Sequence, residues 1–241
     1  MGDKVRVIGV ASGKGGVGKT TVAVNLGAAL ASRPGKSVML VDCNMTTPHL
    51  PLHLGMDKTP ATLNHVIRGS AEIRDAIYSH ASGIKVLPAS LSLSEMDGVD
   101  MFRLPAVVNS IYEKFFGKVD FLILDCAPGF GREAMSAIKS CNELLLVTTP
   151  HTPSIMDTVR CRHIGEGMDL KILGTVLNKV TGESGELKKD DVEMITGTDV
   201  IATIPYDKKI TKSLAAGMPV AVHARRSGAA RSIGRLAERI L

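Results

Sequence analysis

The chain has few of the aromatic side chains that a base-stacking surface requires. It contains no tryptophan, five phenylalanines and three tyrosines in 241 residues. Proteins that bind single-stranded nucleic acids commonly stack the bases on aromatic rings, so this class is disfavoured. No apolar run approaches the roughly 18 residues of a membrane span. The first apolar run, residues 5–11, is too short for the core of a signal peptide and has the flanks of a strand.

Cysteine is also scarce, and its spacing excludes several kinds of site. Cys43, Cys126, Cys141 and Cys161 are far apart and form no C-x-x-C pair. A zinc finger, a thioredoxin-type site and a disulfide framework are therefore poorly supported, and a reducing cytoplasm is the expected location. The 29 basic and 24 acidic residues give a net charge of +5, which permits an anionic partner without requiring one.

Short apolar runs alternate with helix-like segments along the whole chain. The runs are rich in leucine and β-branched residues and mostly do not alternate with polar ones, which is typical of strands buried on both faces of a parallel sheet. The predicted strands lie at residues 5–10, 38–41, 84–87, 121–124, 144–147, 172–177 and 200–204, and predicted helices include residues 20–31, 104–116 and 132–140. We expect one layered α/β domain over residues 1–241, without internal repeats or linkers.

A phosphate-binding motif follows the first predicted strand. Residues 13–21 fit G-x-x-x-x-G-K-S/T, the P-loop, whose glycines let backbone N–H groups converge on phosphate oxygens at a helix N-terminus. Lys19 is expected on the β- and γ-phosphates and the Thr20 hydroxyl on Mg²⁺. The predicted contacts to the nucleotide here are Gly13, Gly15, Gly16, Val17, Gly18, Lys19, Thr20 and Thr21.

A nicotinamide-binding domain is the sharpest alternative. Gly13, Gly15 and Gly18 also fit G-x-G-x-x-G, and Asp42 ends the next strand where a ribose-binding acid would lie. Lys19 at the helix start is not needed in such a fold. Moreover, the apolar strand at residues 121–124 ends in Asp125, the Walker B arrangement, which predicts a second residue that holds Mg²⁺.

Residues 14–21, Lys-Gly-Gly-Val-Gly-Lys-Thr-Thr, resemble the deviant Walker A box of the MinD/ParA ATPases. The resemblance covers nearly the whole chain, with residues 41–44 at switch I and 125–129 at switch II. Residues 46–50 match archaeal MinD-like members most closely. It implies a three-layer P-loop NTPase fold with a mainly parallel sheet of about seven or eight strands. It also implies an ATPase that hydrolyses ATP slowly and acts in spatial positioning, of the division site, of polar machinery or of chromosomes during partition.

The resemblance further implies an ATP-dependent homodimer and an unidentified activating protein partner. Lys14 is a second lysine in the loop, and the binding of one nucleotide does not require it. The resemblance implies that Lys14 reaches the phosphates of the partner subunit. The simpler alternative is that Lys14 is a solvated cation. Asp42 and Asn44 would arrange the attacking water. Many members have a second aspartate where Asn44 stands, and an amide cannot accept a proton. We therefore expect slow hydrolysis and a long-lived dimer.

The expected base is adenine. Residues 178–181 lack the aspartate of the guanine-binding N-K-x-D motif. The resemblance places Asn178, Lys179 and Pro205 where the family holds adenine. The alternative is that Asn178 merely ends a strand.

The sequence does not decide which target surface the ATP-bound state contacts. Residues 229–241 form an amphipathic pattern with Arg231, Arg235 and Arg239 on one face. We favour a last core helix over a membrane anchor, since the segment has no Phe or Trp to insert. Weak contact with an anionic membrane surface or with non-specific DNA stays an option, whereas nothing supports sequence-specific nucleic-acid binding. Two further alternatives are a metal-cofactor or iron–sulfur maturation ATPase, with Cys43 and Cys126 as residues to check, and a metabolic enzyme of the same superfamily.

Overall fold

The structure is a computed structural model, and it describes residues 5–115 and 117–241. A sheet of eight strands forms its centre, in the order β3-β4-β2-β5-β1-β6-β7-β8. Among the strands in the described residues, only β3 is antiparallel to its neighbour. The strands are β1 (Arg6–Ala11), β2 (Val38–Cys43), β3 (Tyr78–Ser79), β4 (Lys85–Leu87), β5 (Phe121–Cys126), β6 (Glu143–Thr148), β7 (Lys171–Val180) and β8 (Val200–Pro205).

Helices cover both faces of this sheet. They are α1 (Lys19–Ala31), α2 (Leu50–His53), α3 (Leu63–Arg68), α4 (Leu104–Lys114), α5 (Arg132–Lys139), α6 (Thr152–Glu166), α7 (Lys189–Thr196), α8 (Lys208–Ala215), α9 (Val220–His223) and α10 (Gly228–Ile240), with 3₁₀ turns at Ile73–Ala76, Leu93–Met96 and Met101–Arg103. Strand–helix–strand crossovers of this kind keep neighbouring strands parallel. The predicted three-layer fold and the strand number are confirmed.

Apolar packing on the two faces of the sheet explains why the strands show no polar alternation. On one face α1 and α10 pack over side chains such as Ile8, Leu40 and Ile123. On the other face α3, α4 and α5 cover Met39, Leu122 and their neighbours. All six residues of β2 and of β5 are buried, as expected for central parallel strands.

The C-terminal helix α10 is part of the core. Its apolar face, including Ile233, Leu236 and Ile240, is buried against the sheet and α1, while Arg231, Arg235 and Arg239 are exposed. Leu241, which the amphipathic pattern of residues 229–241 includes, is 53% exposed. The apolar side of α10 is thus occupied by the protein itself and is not available to a lipid surface.

Several predicted boundaries move by a few residues. The helix predicted for residues 104–116 ends at Lys114, and residue 116 lies outside the described residues. Strand β1 begins at Arg6. Within the described ranges no helix has both the length and the apolar character needed to cross a membrane.

Candidate functional site

The P-loop lies at the topological centre of the sheet. It connects the end of β1 to the start of α1, and β1 pairs with β5 on one side and β6 on the other. In open parallel sheets a ligand binds at the carboxyl ends of the strands where the strand order reverses. The predicted contact residues 13–21 therefore lie together at the position that this topology provides for a ligand.

Two glycines of the loop are required by the surrounding structure. Gly18, which precedes α1, has a φ of +96°, and a Cβ there would collide with the amide of Asn178. A Cβ on Gly13 would lie 2.7 Å from atoms of both Asp157 and Phe130. By contrast, a Cβ on Gly15 would meet nothing closer than 3.9 Å.

Side chains of β7 hold the loop from outside. The Asn178 amide nitrogen donates to the Val17 carbonyl oxygen at 2.8 Å, and Lys179 Nζ donates to the Gly16 carbonyl oxygen at 2.7 Å. Two loop carbonyls are thereby satisfied by side chains of β7. Lys179, which adjoins Asn178 in the stretch expected near the adenine, has a φ of +60°, and its contact with the P-loop was not predicted.

Asn178 and Pro205, the predicted adenine residues, lie on the neighbouring strands β7 and β8. Val180 is in register with Pro205, and the Tyr206 N–H donates to the Val180 carbonyl oxygen at 2.8 Å. Asn178 is only 2% exposed and contacts the P-loop directly. The structure thus brings both residues to the same edge of the sheet as the P-loop.

Lys19 and Asp125 are two buried ionisable groups that influence each other electrostatically. Lys19 is 7% exposed; burial lowers its pKa, and the charge of Asp125 partly offsets this effect. Asp125 is 1% exposed, and burial raises its pKa to about 6 despite the nearby Thr20 hydroxyl and Lys19. Burial of an ionised group is unfavourable unless hydrogen bonds and countercharges compensate for the lost water.

Neither carboxylate oxygen of Asp125 has a hydrogen-bond partner among the described residues. Buried polar atoms are nearly always paired, so two unpaired oxygens on one side chain indicate a missing ligand. The Thr20 hydroxyl is close enough to influence this carboxylate. Carboxylate and hydroxyl oxygens are hard donors that suit Mg²⁺. Thr20 and Asp125 therefore fit the predicted cation.

Asp42 lies beside Asp125, since the two residues are in register on β2 and β5. Asp42 is completely buried, and burial together with the charge of Asp125 raises its pKa well above the ordinary range. Its two oxygens accept backbone N–H groups of Asn44 at 3.1 Å and of Leu50 at 3.3 Å. Two neighbouring acids thus lie at the carboxyl ends of β2 and β5, and β5 is the strand that pairs with β1.

Asn44 is occupied by its own loop. Its Nδ2 donates to the Thr47 carbonyl oxygen at 2.6 Å, and its Oδ1 accepts the Thr47 hydroxyl at 3.1 Å. Next to it, Glu133 of α5 accepts the Thr46 N–H at 2.9 Å and the Thr46 hydroxyl at 3.0 Å. These contacts, which the sequence did not indicate, join the loop after β2 to the helix after β5.

Lys14 and Thr21 differ in their surroundings. Lys14 is exposed, and it forms no ion pair with any residue that the structure describes. The Thr21 hydroxyl lies 3.3 Å from His53 Nε2. His53 is a further residue that sequence reasoning missed, because it is distant in the chain and belongs to no motif.

The cysteines do not form a metal centre in the described part of the chain. All four are buried, and burial raises the pKa of both Cys43 and Cys126 well above the ordinary range. In residues 5–115 and 117–241, no three His, Cys, Asp or Glu side chains are placed so that they could hold a metal ion.

Comparison with known proteins places this site in a family. A family model described as ParA: NUBPL iron-transfer P-loop NTPase matches residues 4–241. An ATP-binding protein of Methanocaldococcus jannaschii is 36% identical, over 97% of this chain and 87% of its own length. The chain belongs to the ParA family of P-loop NTPases.

Solved structures agree with this assignment. The cell division ATPase MinD of Pyrococcus furiosus superposes with a TM-score of 0.93 and 36% identity, over 100% of this chain and 98% of that one. The septum site-determining protein MinD of Pyrococcus horikoshii, solved with Mg-ADP, gives 0.93 and 33% identity, over 98% of this chain and 96% of that one. The predicted resemblance to the MinD/ParA group is confirmed.

Proposed function

We propose that residues 1–241 act as a single MinD-type ATPase domain that dimerises on ATP, hydrolyses it slowly and serves spatial positioning in the cell. The observation that carries this proposal is the buried Asp125 carboxylate, with two unpaired oxygens beside Lys19 and the P-loop. A bound cation and phosphates would supply the missing partners. The likeness to two MinD structures supports the type of ATPase.

Phosphate binding follows from the loop and the start of α1. Backbone N–H groups of residues 13–18 and the N-terminus of α1 face the anion, and Lys19 places a cation on the β- and γ-phosphates. Because Lys19 is buried, its charge acts in a medium that screens it weakly. Thr20 and Asp125 hold Mg²⁺. When bound, Mg²⁺ neutralises negative charge on the β- and γ-phosphates.

Hydrolysis depends on the acids at the ends of β2 and β5. Asp42, fixed by the N–H groups of Asn44 and Leu50, orients the attacking water. Asn44 orients the same water through its amide but cannot take the proton. The turnover of the isolated protein is therefore slow.

The adenine ring lies at the carboxyl ends of β7 and β8, next to the P-loop. Asn178 keeps its amide nitrogen on Val17 and presents its carbonyl oxygen to the adenine amino group, while the backbone after Pro205 closes the other side. This arrangement uses one side chain to link the base to the P-loop.

Lys14 acts in the dimer. Since it is exposed and makes no ion pair with the residues that are described, its ammonium group can cross a face-to-face interface and reach the γ-phosphate of the partner subunit. Hydrolysis removes that phosphate and separates the subunits. The ATP dimer is the state that docks on a target, which is a population shift driven by differential affinity.

Titration calorimetry with Mg-ATP tests nucleotide binding, and phosphate release tests turnover. We expect micromolar binding and slow turnover by the parent protein, and no binding by Lys19→Ala. Arg160→Ala on α6, an exposed residue that forms an ion pair with Asp157 three residues away, is the control and should bind normally. Equal binding by Lys19→Ala and the parent would contradict the proposal.

Iron transfer is a second candidate, favoured by the description of the matching family model. The buried, protonated cysteines speak against a cluster held within one subunit. Anaerobic reconstitution with iron and sulfide distinguishes the two candidates: retained iron after desalting supports transfer, and its loss supports the MinD-type role.

The target surface of the ATP dimer is proposed to include the exposed arginines of α10. Arg231, Arg235 and Arg239 form a basic row that suits weak contact with anionic lipid or DNA phosphates. Co-pelleting with anionic vesicles and with random-sequence DNA, each with Mg-ATP and at two salt concentrations, separates these targets. An activating protein partner is proposed to accelerate the hydrolysis.

A further inference from the structure

A small cavity between α1, α2 and α8 contains a hydroxyl group without a partner. The cavity measures about 10 Å³ and is lined by Thr21, His53 and Ser213, among others. Ser213 is 1% exposed, and its hydroxyl makes no hydrogen bond to any described residue. Since buried polar groups are almost always paired, this hydroxyl indicates a second arrangement in which it has a partner.

His53 lines the same cavity as Ser213 and can change its hydrogen-bond partners. Its Nδ1 lies 2.9 Å from the His49 carbonyl oxygen, which only accepts, so Nδ1 carries the ring proton. In the neutral ring Nε2 is then an acceptor, and the Thr21 hydroxyl, 3.3 Å away, donates to it. Burial lowers the pKa of His53, which favours the neutral ring.

Thr21 belongs to the P-loop motif, and this creates a competition. A hydroxyl has one proton, so Thr21 cannot donate to His53 and to a phosphate oxygen at once. When a phosphate oxygen accepts the hydrogen bond of the Thr21 hydroxyl, His53 Nε2 is left without a donor.

We propose that His53 is a positioning residue that exchanges hydrogen-bond donors when nucleotide binds, releasing Thr21 to a phosphate and accepting the hydroxyl of Ser213 instead. The inference rests on the proposed function, because it needs a phosphate at Thr21. After the exchange every one of these polar groups is paired. The exchange also moves the attachment of α2 from α1, at Thr21, to α8, at Ser213.

The position of α2 allows this exchange to couple nucleotide binding to other parts of the protein. Helix α2 directly follows the loop after β2, and its first residue, Leu50, donates its N–H to Asp42. Just beyond α2, Gly55 is so close to Gly217 that a Cβ on Gly217 would lie 2.9 Å from the Gly55 Cα. Phosphate occupancy at α1 is thus transmitted to the ends of both α2 and α8.

The variant Ser213→Ala tests the exchange, because we expect it to preserve or increase the stability of the nucleotide-free protein while it weakens the binding of Mg-ADP. Without nucleotide, the urea midpoint stays the same or rises, since the removed hydroxyl had no partner. The affinity for Mg-ADP falls about five-fold, the effect of one net hydrogen bond. A merely structural serine would lower the midpoint and leave affinity unchanged. The matched control Ser232→Ala, in which a buried serine of α10 bound by Arg235 is replaced, should keep the parent affinity.

Imidazole ¹⁵N NMR gives a readout that needs no stability comparison. In the parent protein, His53 Nε2 stays hydrogen-bonded before and after addition of Mg-ADP. In Ser213→Ala, Mg-ADP moves the Nε2 resonance toward that of a free unprotonated nitrogen. Equal affinities and equal shifts in parent and variant would overturn this inference alone. A parent protein that does not bind Mg-ADP would overturn the proposed function together with it.

Discussion

Replacing Asp125 with asparagine should make the nucleotide-free protein more stable. Asp125 is 1% exposed and its two oxygens have no partner in the described residues. Asparagine keeps the shape of the side chain and removes the buried negative charge. The same change removes the carboxylate proposed to hold Mg²⁺, so stability and function should move in opposite directions.

The size of the gain follows from the pKa of Asp125. Burial raises this pKa from 3.8 to about 6, so the folded state binds the proton more tightly than the unfolded state. The free energy of unfolding therefore falls as pH rises through this window and stays lower above it. A difference of about two units between the folded-state and unfolded-state pKa corresponds to about 3 kcal/mol. This value is the upper bound for the increase in the free energy of unfolding of Asp125→Asn at pH 7. The raised pKa of the neighbouring Asp42 acts in the same direction, since the charge of Asp125 is one of its causes.

Urea unfolding in EDTA, without nucleotide, measures this effect. At pH 7 Asp125→Asn should unfold at a higher urea concentration than the parent, and near pH 4 the two should converge. Asp57→Asn, a change at an exposed aspartate, is the matched control and should leave the midpoint unchanged at both pH values. An Asp125→Asn variant that is less stable than the parent at pH 7 would refute the reasoning.

Two further predictions concern the loops around the site. Gly13→Ala should destabilise the nucleotide-free protein by about 1–3 kcal/mol because its Cβ would lie 2.7 Å from Asp157, whereas Gly15→Ala should change stability by less than about 0.5 kcal/mol; thermal unfolding of the two variants checks this, and equal midpoints would contradict it. Asn44→Asp should raise basal ATP hydrolysis about ten-fold or more, since a carboxylate can accept the proton of the attacking water and cannot donate to the Thr47 carbonyl; a phosphate-release assay that shows no increase would count against this role.

The sequence predicted the central strands and the P-loop well because their signals are local. Strands β2 and β5 are buried on both faces, and the next-to-last residue of each is an aspartate, Asp42 or Asp125, at the carboxyl end of the strand. The P-loop motif is one short stretch of sequence, and its glycines and Lys19 bind phosphate in the same way wherever the motif occurs. Here local pattern and tertiary structure agree.

Other elements give no such local signal. The two-residue strand β3 is too short to show a period. Helix α6 was not among the helices singled out in the sequence, and it buries small or polar side chains such as Ser154, Thr158 and Gly165 instead of an aliphatic stripe. The contacts of Asn178 with Val17 and of His53 with Thr21 join residues far apart in the chain. Only the folded sheet brings them together.

Sedimentation analysis with Mg-ATP and with Mg-ADP tests the central claim most directly. The parent protein should be a dimer with Mg-ATP and a monomer with Mg-ADP. Lys14→Ala should bind Mg-ATP with an affinity close to that of the parent and remain a monomer, since the exposed Lys14 is proposed to act only across the interface. A parent protein that is monomeric with both nucleotides, or a Lys14→Ala variant that dimerises as the parent does, would contradict the account.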